Sequence, residues 1–189
     1  MATRALHRAR TRSELAAAAH ALFQAQGFDT TTVEEVAAAA GVSRRTFFRY
    51  FPSKQHAFFA EHLARLASFR AGMRARAERG GWKAAVEALL EVAAAYQADP
   101  VTARAHHAIL VASPELQKED LRLDGEWERA IREELMAAGD DTFTARLRAG
   151  ALMGVTRAIL AAWFDDPDGA DLVATGRAAL DRLGRGLSA

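Results

Sequence analysis

The chain has 189 residues, half of them hydrophobic and 26% charged, with a net charge of +1 and no cysteine. This length allows one or two domains with a sizeable core, and the lack of cysteine excludes a disulfide framework and thiolate chemistry. Only four prolines, together with long runs of Ala, Leu, Arg and Glu, predict an all-α protein.

Charge is distributed unevenly along the chain. Residues 1–54 contain eight Arg or Lys and four Asp or Glu, whereas the remainder contains 17 and 20. A basic N-terminal part suits nucleic-acid binding by that part alone, although ordinary variation in surface charge explains the asymmetry equally well. The N-terminus lacks the apolar core of a signal peptide, and no run of about 18 apolar residues could span a bilayer. We therefore expect a soluble, cytoplasmic protein that does not bind membranes.

The first predicted helix precedes Gly27 and Phe28. Its apolar residues recur at i, i+3 and i+4, which is typical of an amphipathic helix. They are Leu15, Ala18, Ala19, Leu22 and Phe23.

Residues 30–54, TTTVEEVAAAAGVSRRTFFRYFPSK, predict two short helices around a tight turn. Thr31 is expected to cap the first of them, with Glu34 closing a capping box. Gly41 lies where a helix end requires a left-handed residue, and Ser43 can cap the next helix. This layout is typical of a helix-turn-helix, which places its second helix in the DNA major groove.

Arginines open the second of these helices, predicted over residues 43–51. Arg44 and Arg45 fall in its first turn, the part of a recognition helix that points at base edges. Positive side chains at a helix N-terminus oppose the helix dipole, and an external anion would explain their presence. Pro52 ends the helix, and Ser53 can cap the next one.

The ordered pattern A-x-x-L-F-x-x-x-G-F, T-T-V-x-x-V-A-x-x-A-G-V-S, T-x-x-x-Y-F-x-S-K resembles the tetracycline-repressor (TetR) family of transcriptional regulators over residues 10–60. The resemblance implies an N-terminal three-helix DNA-binding domain followed by a larger helical domain that dimerises and binds a small ligand. The segment RRTFFRYF is most similar to a subgroup that includes mycofactocin-associated regulators. The rest of the chain resembles the family only in length and helical texture.

The resemblance also implies which residues contact DNA. Hydroxyls that open the second helix bond a phosphate, the first turn of the third helix faces the groove, and the residues after it grip the flanking backbone. Lys54 matches a widely used phosphate-binding lysine. Phe48 stands where many members carry Tyr, so a phosphate-contacting hydroxyl is missing there, and Arg49 could compensate. The long side chain of Arg45 could add a contact to guanine. The expected DNA-binding residues are Thr31, Thr32, Ser43, Arg44, Arg45, Thr46, Phe48, Arg49, Tyr50 and Lys54.

Six further helices are predicted, which gives about nine in all. They span residues 53–79, 82–98, 101–112, 114–138, 142–164 and 170–187, with an irregularity near 118–123. We expect a DNA-binding domain over residues 1–54 and an effector-binding and dimerisation domain over residues 55–189.

The last two predicted helices suggest a dimer interface. Small residues recur every four positions from Gly150 to Ala162 and would let another helix approach closely. Packing within one subunit is the alternative explanation, but a helix-turn-helix usually needs a dimer to read two half-sites. The expected interface residues are Leu147, Gly150, Gly154, Ala158, Ala162, Leu172, Gly176, Leu180 and Leu183.

The sequence gives less information about the ligand site than about the DNA-binding and dimerisation regions. Large side chains in the second domain are candidates for its lining, although ordinary core packing explains each of them more simply. They are Phe69, Met73, Trp82, Tyr96, His106, His107, Leu110, Trp127, Met153 and Trp163. His106 and His107 are adjacent and so face directions about 100° apart on a helix, which argues against a shared metal. We expect neither a metal nor a cofactor.

The predicted function is a dimeric, ligand-responsive transcriptional regulator, most simply a repressor, that binds operator DNA and a small hydrophobic effector. An enzyme is disfavoured because the chain has no Gly-rich phosphate loop and no recognisable carboxylate–histidine motif. An effector-blind dimeric regulator or an architectural DNA-binding protein is the alternative.

Overall fold

The computed structural model describes residues 2–166 and 171–186, with side chains described from Leu6 onward. Within these ranges the chain is helical and contains no strand, so the all-α prediction is confirmed. The helices are α1 (Ala2–Gln26), α2 (Val33–Ala39), α3 (Arg44–Tyr50), α4 (Lys54–Phe58), α5 (His62–Ala75), α6 (Gly81–Ala98), α7 (Pro100–Ala112), α8 (Pro114–Ala137), α9 (Thr142–Asp165) and α10 (Leu172–Gly186), with a 3-10 turn at Ala77–Arg79.

The segment predicted as one helix over residues 53–79 forms two helices. The described residues therefore contain ten α-helices, where about nine were predicted. α4 ends at Phe58 and α5 begins at His62, although no glycine or proline lies between them. The cause is tertiary, because Phe58 and Ala60 are both buried in the same core. Two positions apart on a continuous helix, they would point about 200° apart and could not share that core.

The irregularity predicted at residues 118–123 is wrong, because α8 is continuous there. Leu116, Leu123 and Ala130 are buried at seven-residue steps, so one face of the helix is apolar along its length. The last helix runs from Leu172 to Gly186, and its predicted ends at residues 170 and 187 lie outside the described residues.

The chain divides into two compact units. The first comprises Met1–His62 and Ala105–Glu119, and the second comprises Leu63–Arg104 and Asp120–Ala189. The first unit therefore contains the helix-turn-helix together with part of α7 and the first residues of α8. The sequence-based division at residue 54 had assigned residues 55–62 and 105–119 to the second domain.

The core of the first unit is built largely of phenylalanine. Phe23 on α1, Phe47 on α3 and Phe58 on α4 are fully buried in one cluster, which Leu116 on α8 joins. Outside the cluster, the Ser113 hydroxyl donates a hydrogen bond to the Asp29 carboxylate at 2.7 Å. Residues 105–119 thus support the helix-turn-helix through both apolar and polar contacts.

The second unit packs α10 closely on α6. A Cβ atom added at Gly176 would lie 3.1 Å from Leu90 Cδ2, and one added at Gly184 would lie 2.5 Å from Trp82 Nε1. A side chain at Gly184 would force the Trp82 ring to move, and one at Gly176 would require Leu90 to shift by a few tenths of an ångström. The unit also contains a buried carboxylate, Glu134, which lies 3.3 Å from the guanidinium groups of both Arg70 and Arg74.

Helix α9 is the one described helix that is long and apolar enough to cross a membrane by length and composition. Its buried residues, among them Leu152 and Met153, pack in the core of the second unit. This arrangement is compatible with a core helix of a soluble protein.

A half-buried carboxyl on α8 gives a pH-dependent prediction. Burial, reinforced by the neighbouring Asp124 carboxylate, raises the pKa of Asp120 from its ordinary value of 3.8 to about 6. A raised carboxyl pKa means that the folded state favours the protonated form, so folding stability is lost as pH rises from 3.8 through about 6. Asp120→Asn removes this loss and should raise the melting temperature at pH 7.5, with a gain that shrinks towards pH 4. Equal gains at both pH values would contradict the assignment.

Candidate DNA interface

Helix α3 is positioned by aromatic residues on its inner face. Phe47 is fully buried and Phe51, which ends the helix, is nearly so. The Arg12 guanidinium lies 4.8 Å from the centre of the Phe51 ring and donates a hydrogen bond to the Ala60 carbonyl at 3.1 Å. Arg12, which sequence reasoning did not select, therefore ties α1 to the end of α3. No local spacing rule predicts the contact between Arg12 and Ala60, which are 48 residues apart in the sequence.

The turn between α2 and α3 has the predicted chemistry. Gly41 has φ +66°, a left-handed conformation that glycine adopts without strain. The Val42 amide donates to the Ala37 carbonyl at 2.9 Å. Ser43 caps α3, and its hydroxyl accepts a hydrogen bond from the Thr46 amide at 3.1 Å. The predicted cap at Ser53 is likewise present on α4.

The capping box on α2 lies one residue later than predicted, at Thr32 and Glu35 instead of Thr31 and Glu34. Thr32 donates to the Glu35 carboxylate through its amide and its hydroxyl, both at 2.8 Å. These hydrogen bonds, the backbone one first, lower the pKa of Glu35. Thr31 is only 1% exposed, and its hydroxyl donates to the Gly27 carbonyl at 2.7 Å. The polar side chain of Thr31 closes the α1–α2 connection, which leaves Thr32 as the residue that caps α2.

The outer face of α3 carries most of the expected DNA-binding residues. Arg44, Arg45, Phe48 and Arg49 are exposed together on it, while Thr46 and Tyr50 are half-buried at its edges. The Arg49 guanidinium lies 5.2 Å from the centre of the Tyr50 ring. The fold therefore gathers three cations and one exposed aromatic ring on a single helical face.

Arg44 has two partners on that face. Its Nε atom lies 3.0 Å from the Glu34 carboxylate on α2, and its guanidinium lies 5.4 Å from the centre of the Phe48 ring. Both charges of the ion pair are largely exposed, so the pair contributes little to stability. Glu34 entered the sequence analysis only as a capping residue, because a contact between neighbouring helices leaves no periodic signal.

Lys54 is more enclosed than a surface phosphate ligand would be. Its ammonium donates to the carbonyls of Phe28, Asp29 and Thr31 at 2.8, 3.3 and 3.2 Å and lies 4.3 Å from the centre of the Phe28 ring. An ammonium has three donors, and these three carbonyls engage all of them. The geometry therefore favours a structural function, in which Lys54 satisfies the carbonyls of the α1–α2 connection.

The candidate ligand-binding residues do not gather at one place. Phe69, Met73, Trp82, Trp127 and Met153 belong to the main core of the second unit. Tyr96 and Trp163 belong to a smaller cluster of that unit. Leu110 packs against the core of the first unit, and the half-buried His107 belongs to the same unit.

His106 is part of an aromatic stack in the first unit. Its ring lies 3.9 Å from that of Phe58, nearly parallel, and 4.9 Å from that of His20. His20 Nε2 is also 3.2 Å from the Phe58 carbonyl oxygen. Within the described part of the chain, no three His, Asp or Glu side chains are grouped as a metal site would require.

The expected dimer-interface residues fall into two groups. On α9, Leu147, Gly154, Ala158 and Ala162 are exposed and Gly150 is half-buried. On α10, three residues are buried within the protomer and Leu183 is half-buried; the buried ones are Leu172, Gly176 and Leu180. Burial of these three residues within the protomer favours the alternative explanation, packing inside one subunit, for their part of the apolar stripe. α6 occupies the groove that Gly176 creates.

These features define a DNA-binding protein, with a three-helix helix-turn-helix whose recognition helix exposes cations. Comparison with known families agrees. Residues 15–60 match the model of bacterial regulatory proteins of the tetR family, and residues 80–188 match that of the MftR C-terminal domain. The chain belongs to the TetR family of DNA-binding transcriptional regulators and has an MftR-type C-terminal domain. The recognition of this family and subgroup from the sequence is confirmed, as is the expectation of a regulator instead of an enzyme.

Individual relatives give the same result. The chain is 30% identical over 173 residues to a Mycobacterium tuberculosis protein assigned as the mycofactocin biosynthesis transcriptional regulator MftR, covering 88% of this chain and 85% of that protein. Its fold is similar to that of NalD, the secondary repressor of the MexAB-OprM multidrug efflux pump in Pseudomonas aeruginosa, with TM-score 0.66, 21% identity and coverage of 94% and 95%. It is also similar to Thermus thermophilus FadR, a transcriptional repressor solved with lauroyl-CoA, with TM-score 0.63, 22% identity and coverage of 90% and 91%.

The position of Lys54 gives a testable prediction. Lys54→Met keeps the apolar stem and removes the ammonium, which leaves the carbonyls of the α1–α2 connection without their donor. The free energy of unfolding should fall by about 1.5–3 kcal/mol, the usual range for a hydrogen bond to a charged group. Chemical denaturation measures this change. Lys83→Met, at an exposed position on α6, is the matched control and should leave stability within about 0.5 kcal/mol of wild type. Equal stability of the two variants would contradict the structural assignment.

Proposed function

We propose that this regulator is a cytoplasmic, homodimeric repressor that reads operator DNA with α3 and releases it on binding an apolar effector. The observation that carries the DNA-reading part is the exposed face of α3. Arg44, Arg45 and Arg49 lie together there, while Phe47 fixes the opposite face in the core. A rigid helix with exposed arginines and a fixed rotation about its axis can present the same donors to the same base edges each time it binds.

The residues of the helix-turn-helix have different functions in this proposal. Arg44 and Arg45 contact base edges, and Arg49 and Tyr50 contact the flanking phosphates. Thr32 caps α2, and both its amide and its hydroxyl donate to the Glu35 carboxylate, so it acts through the fold. Thr31 and Lys54 act through the fold, since both are engaged with backbone carbonyls.

The proposed dimer forms through α9. Its exposed face begins with two large apolar side chains, Phe143 at 75% and Leu147 at 51% exposed, and continues with Gly150, Gly154 and Ala158. Large exposed apolar residues followed by small ones suit a helix that packs against a second copy of itself. A twofold dimer would supply the two recognition helices that two half-sites require.

The effector is proposed to bind in the second unit, among the apolar residues around Phe69 or around Trp163. The residues around Phe69 are apolar, which favours a hydrophobic compound, whereas the Trp163 ring also has the Arg104 guanidinium 4.7 Å from its centre. FadR, which shares the fold, was solved with lauroyl-CoA. The effector-blind alternative is supported by a different observation, namely that the ten candidate residues are divided among separate clusters.

Arg45 provides the direct test of base reading. An operator is first selected from random duplexes with the wild-type protein. Arg45→Ala should weaken binding to that operator by about 1–3 kcal/mol and relax the preference at one base position. Binding titrations over single-base operator variants measure both effects. Arg129→Ala, at an exposed position on α8, is the control and should bind as wild type does. A wild-type specificity profile for Arg45→Ala would contradict the proposal.

Gly154 provides the test of dimerisation. Gly154 is exposed and a Cβ atom added there meets nothing within 4 Å in the protomer, so Gly154→Leu should fold and clash with a partner subunit. Sedimentation should show monomers or aggregates, and operator binding should be lost. Gly125 on α8 is also exposed, a Cβ atom added there also meets nothing within 4 Å, and Gly125→Leu controls for the change in helix propensity. A Gly154→Leu protein that stays dimeric with unchanged DNA affinity would place the interface elsewhere.

Thermodynamic linkage provides the test of effector response. A compound that lowers operator affinity must bind the operator-bound protein more weakly by the same factor. Calorimetry of acyl and aromatic compounds, with and without operator DNA, measures both affinities. We expect equal factors for at least one apolar compound. If no compound of an apolar library changes operator affinity, the effector-blind alternative is favoured.

A further inference from the structure

The Arg44 side chain has two contacts within the protein that favour one orientation of its guanidinium before any DNA binds. Its Nε atom is 3.0 Å from the Glu34 carboxylate on α2, and its guanidinium lies over the Phe48 ring, 5.4 Å from the ring centre. The two contacts come from different directions, one polar and one aromatic. Together they restrict a side chain that would otherwise sample many rotamers and lose that freedom on binding.

The contact with Glu34 leaves the outer edge of the guanidinium for another ligand. An arginine has five N–H donors in a planar fork, and the Glu34 carboxylate lies 3.0 Å from Nε, at the inner edge of that fork. The Nη1 and Nη2 groups at the end of the fork can still donate as a pair. Guanine presents two acceptors, O6 and N7, in the major groove, which matches such a pair.

Phe48 is a large apolar side chain on the same outer face. It is 41% exposed, and its ring is fixed edge-on against the buried Phe47, with ring centres 5.5 Å apart and planes at 88°. A fixed ring without a polar atom can neither donate to a phosphate nor accept from a base. The apolar group that base pairs present in the major groove is the thymine methyl.

We infer that Arg44 and Phe48 read a guanine and a thymine in neighbouring base pairs as one unit, with Glu34 as the residue that positions Arg44. This inference rests on the proposed function of α3 as the recognition helix. The stacked contact of the two side chains places their reading groups side by side, so the two bases must also be neighbours. Glu34 adds a second effect, because its negative charge near the phosphates disfavours binding that lacks the guanine contact.

The thymine contact is tested with base analogues. Each thymine of the selected half-site is replaced in turn by deoxyuridine, which removes only the methyl group. At one position the wild-type protein should lose affinity about fourfold, which corresponds to about 0.8 kcal/mol for one buried methyl. Phe48→Ala should bind the thymine and deoxyuridine duplexes equally. Phe48→Leu, which keeps an apolar side chain, should retain part of the discrimination.

The guanine contact is tested in the same way. Replacing the neighbouring guanine by 7-deazaguanine removes the N7 acceptor, which should weaken wild-type binding and leave Arg44→Ala unaffected. Loss of the whole contact in Arg44→Ala should cost about 5- to 150-fold in affinity, the equivalent of 1–3 kcal/mol. Because the two side chains touch, their effects on operator affinity should be coupled. The fold-loss in the Arg44→Ala, Phe48→Ala double variant should be smaller than the product of the fold-losses in the two single variants.

The function of Glu34 has a separate readout. Glu34→Gln should leave thermal stability unchanged, because Glu35 forms the capping box, and should lower the ratio of specific to non-specific affinity. Its binding to random duplexes should also depend more steeply on salt. Glu61→Gln, at an exposed position of the first unit, is the control and should leave that ratio unchanged.

The outcomes separate this inference from the proposal on which it rests. If Arg45→Ala weakens operator binding but deoxyuridine has the same effect on wild type and Phe48→Ala at every position, α3 still reads DNA and the paired reading is wrong. If neither Arg44→Ala nor Arg45→Ala changes operator binding, α3 is not the recognition helix and both proposals fail. An unchanged specificity ratio in Glu34→Gln would remove Glu34 as a positioning residue.

Discussion

The recognition helix has seven residues, and a helix of this length is not stable in water by itself. It exists because Phe47 and Phe51 are buried in the phenylalanine-rich core of the first unit. That burial also fixes the rotation of α3 about its axis, and the rotation decides which side chains face outward. The positions of the exposed arginines of α3 therefore depend on aromatic residues buried on the opposite side of the helix.

Polar contacts stabilise the helix ends and loops around the aromatic core of the first unit. Thr32 and Glu35 cap α2, Ser43 caps α3, and the Lys54 ammonium satisfies three carbonyls of the α1–α2 connection. Backbone polar groups that lack a hydrogen-bond partner destabilise the folded state. By pairing these groups, the side chains stabilise the short loops of the first unit. The result is a rigid framework in which Arg44, held by Glu34 and Phe48, needs little further ordering on binding.

In the second unit, the apolar residues of α10 are buried within the protomer, whereas some of those of α9 are exposed. α10 presses on α6 through Gly176 and Gly184, so its apolar stripe is satisfied within one protomer. α9 buries Leu152 and Met153 but leaves Phe143 and Leu147 exposed. The surface that suits a second subunit is thus mainly on α9, and it continues along the small residues at Gly154 and Ala158.

Much of the fold could be predicted from local rules. The caps at Ser43 and Ser53, the left-handed Gly41 and the ends of most helices follow from residue types that suit particular backbone conformations. The break between α4 and α5 could not be predicted, because it arises from the burial of Phe58 and Ala60 in one core and not from a helix-breaking residue. The one-residue error in the capping box has a similar cause, since only the three-dimensional structure shows that Thr31 is buried.

The features of the candidate DNA interface also fall into two groups, those predicted from local sequence and those set by tertiary contacts. By itself, the sequence determined the helix-turn-helix, the family and the cationic first turn of α3, because these depend on residue identity at fixed spacing. Only the tertiary structure decided that Arg44 contacts Glu34 and Phe48, that Lys54 is engaged by carbonyls, and that three of the nine expected dimer-interface residues are buried within the protomer. Those outcomes depend on contacts between helices that are distant in sequence, and no periodicity within one helix specifies which neighbour covers its face.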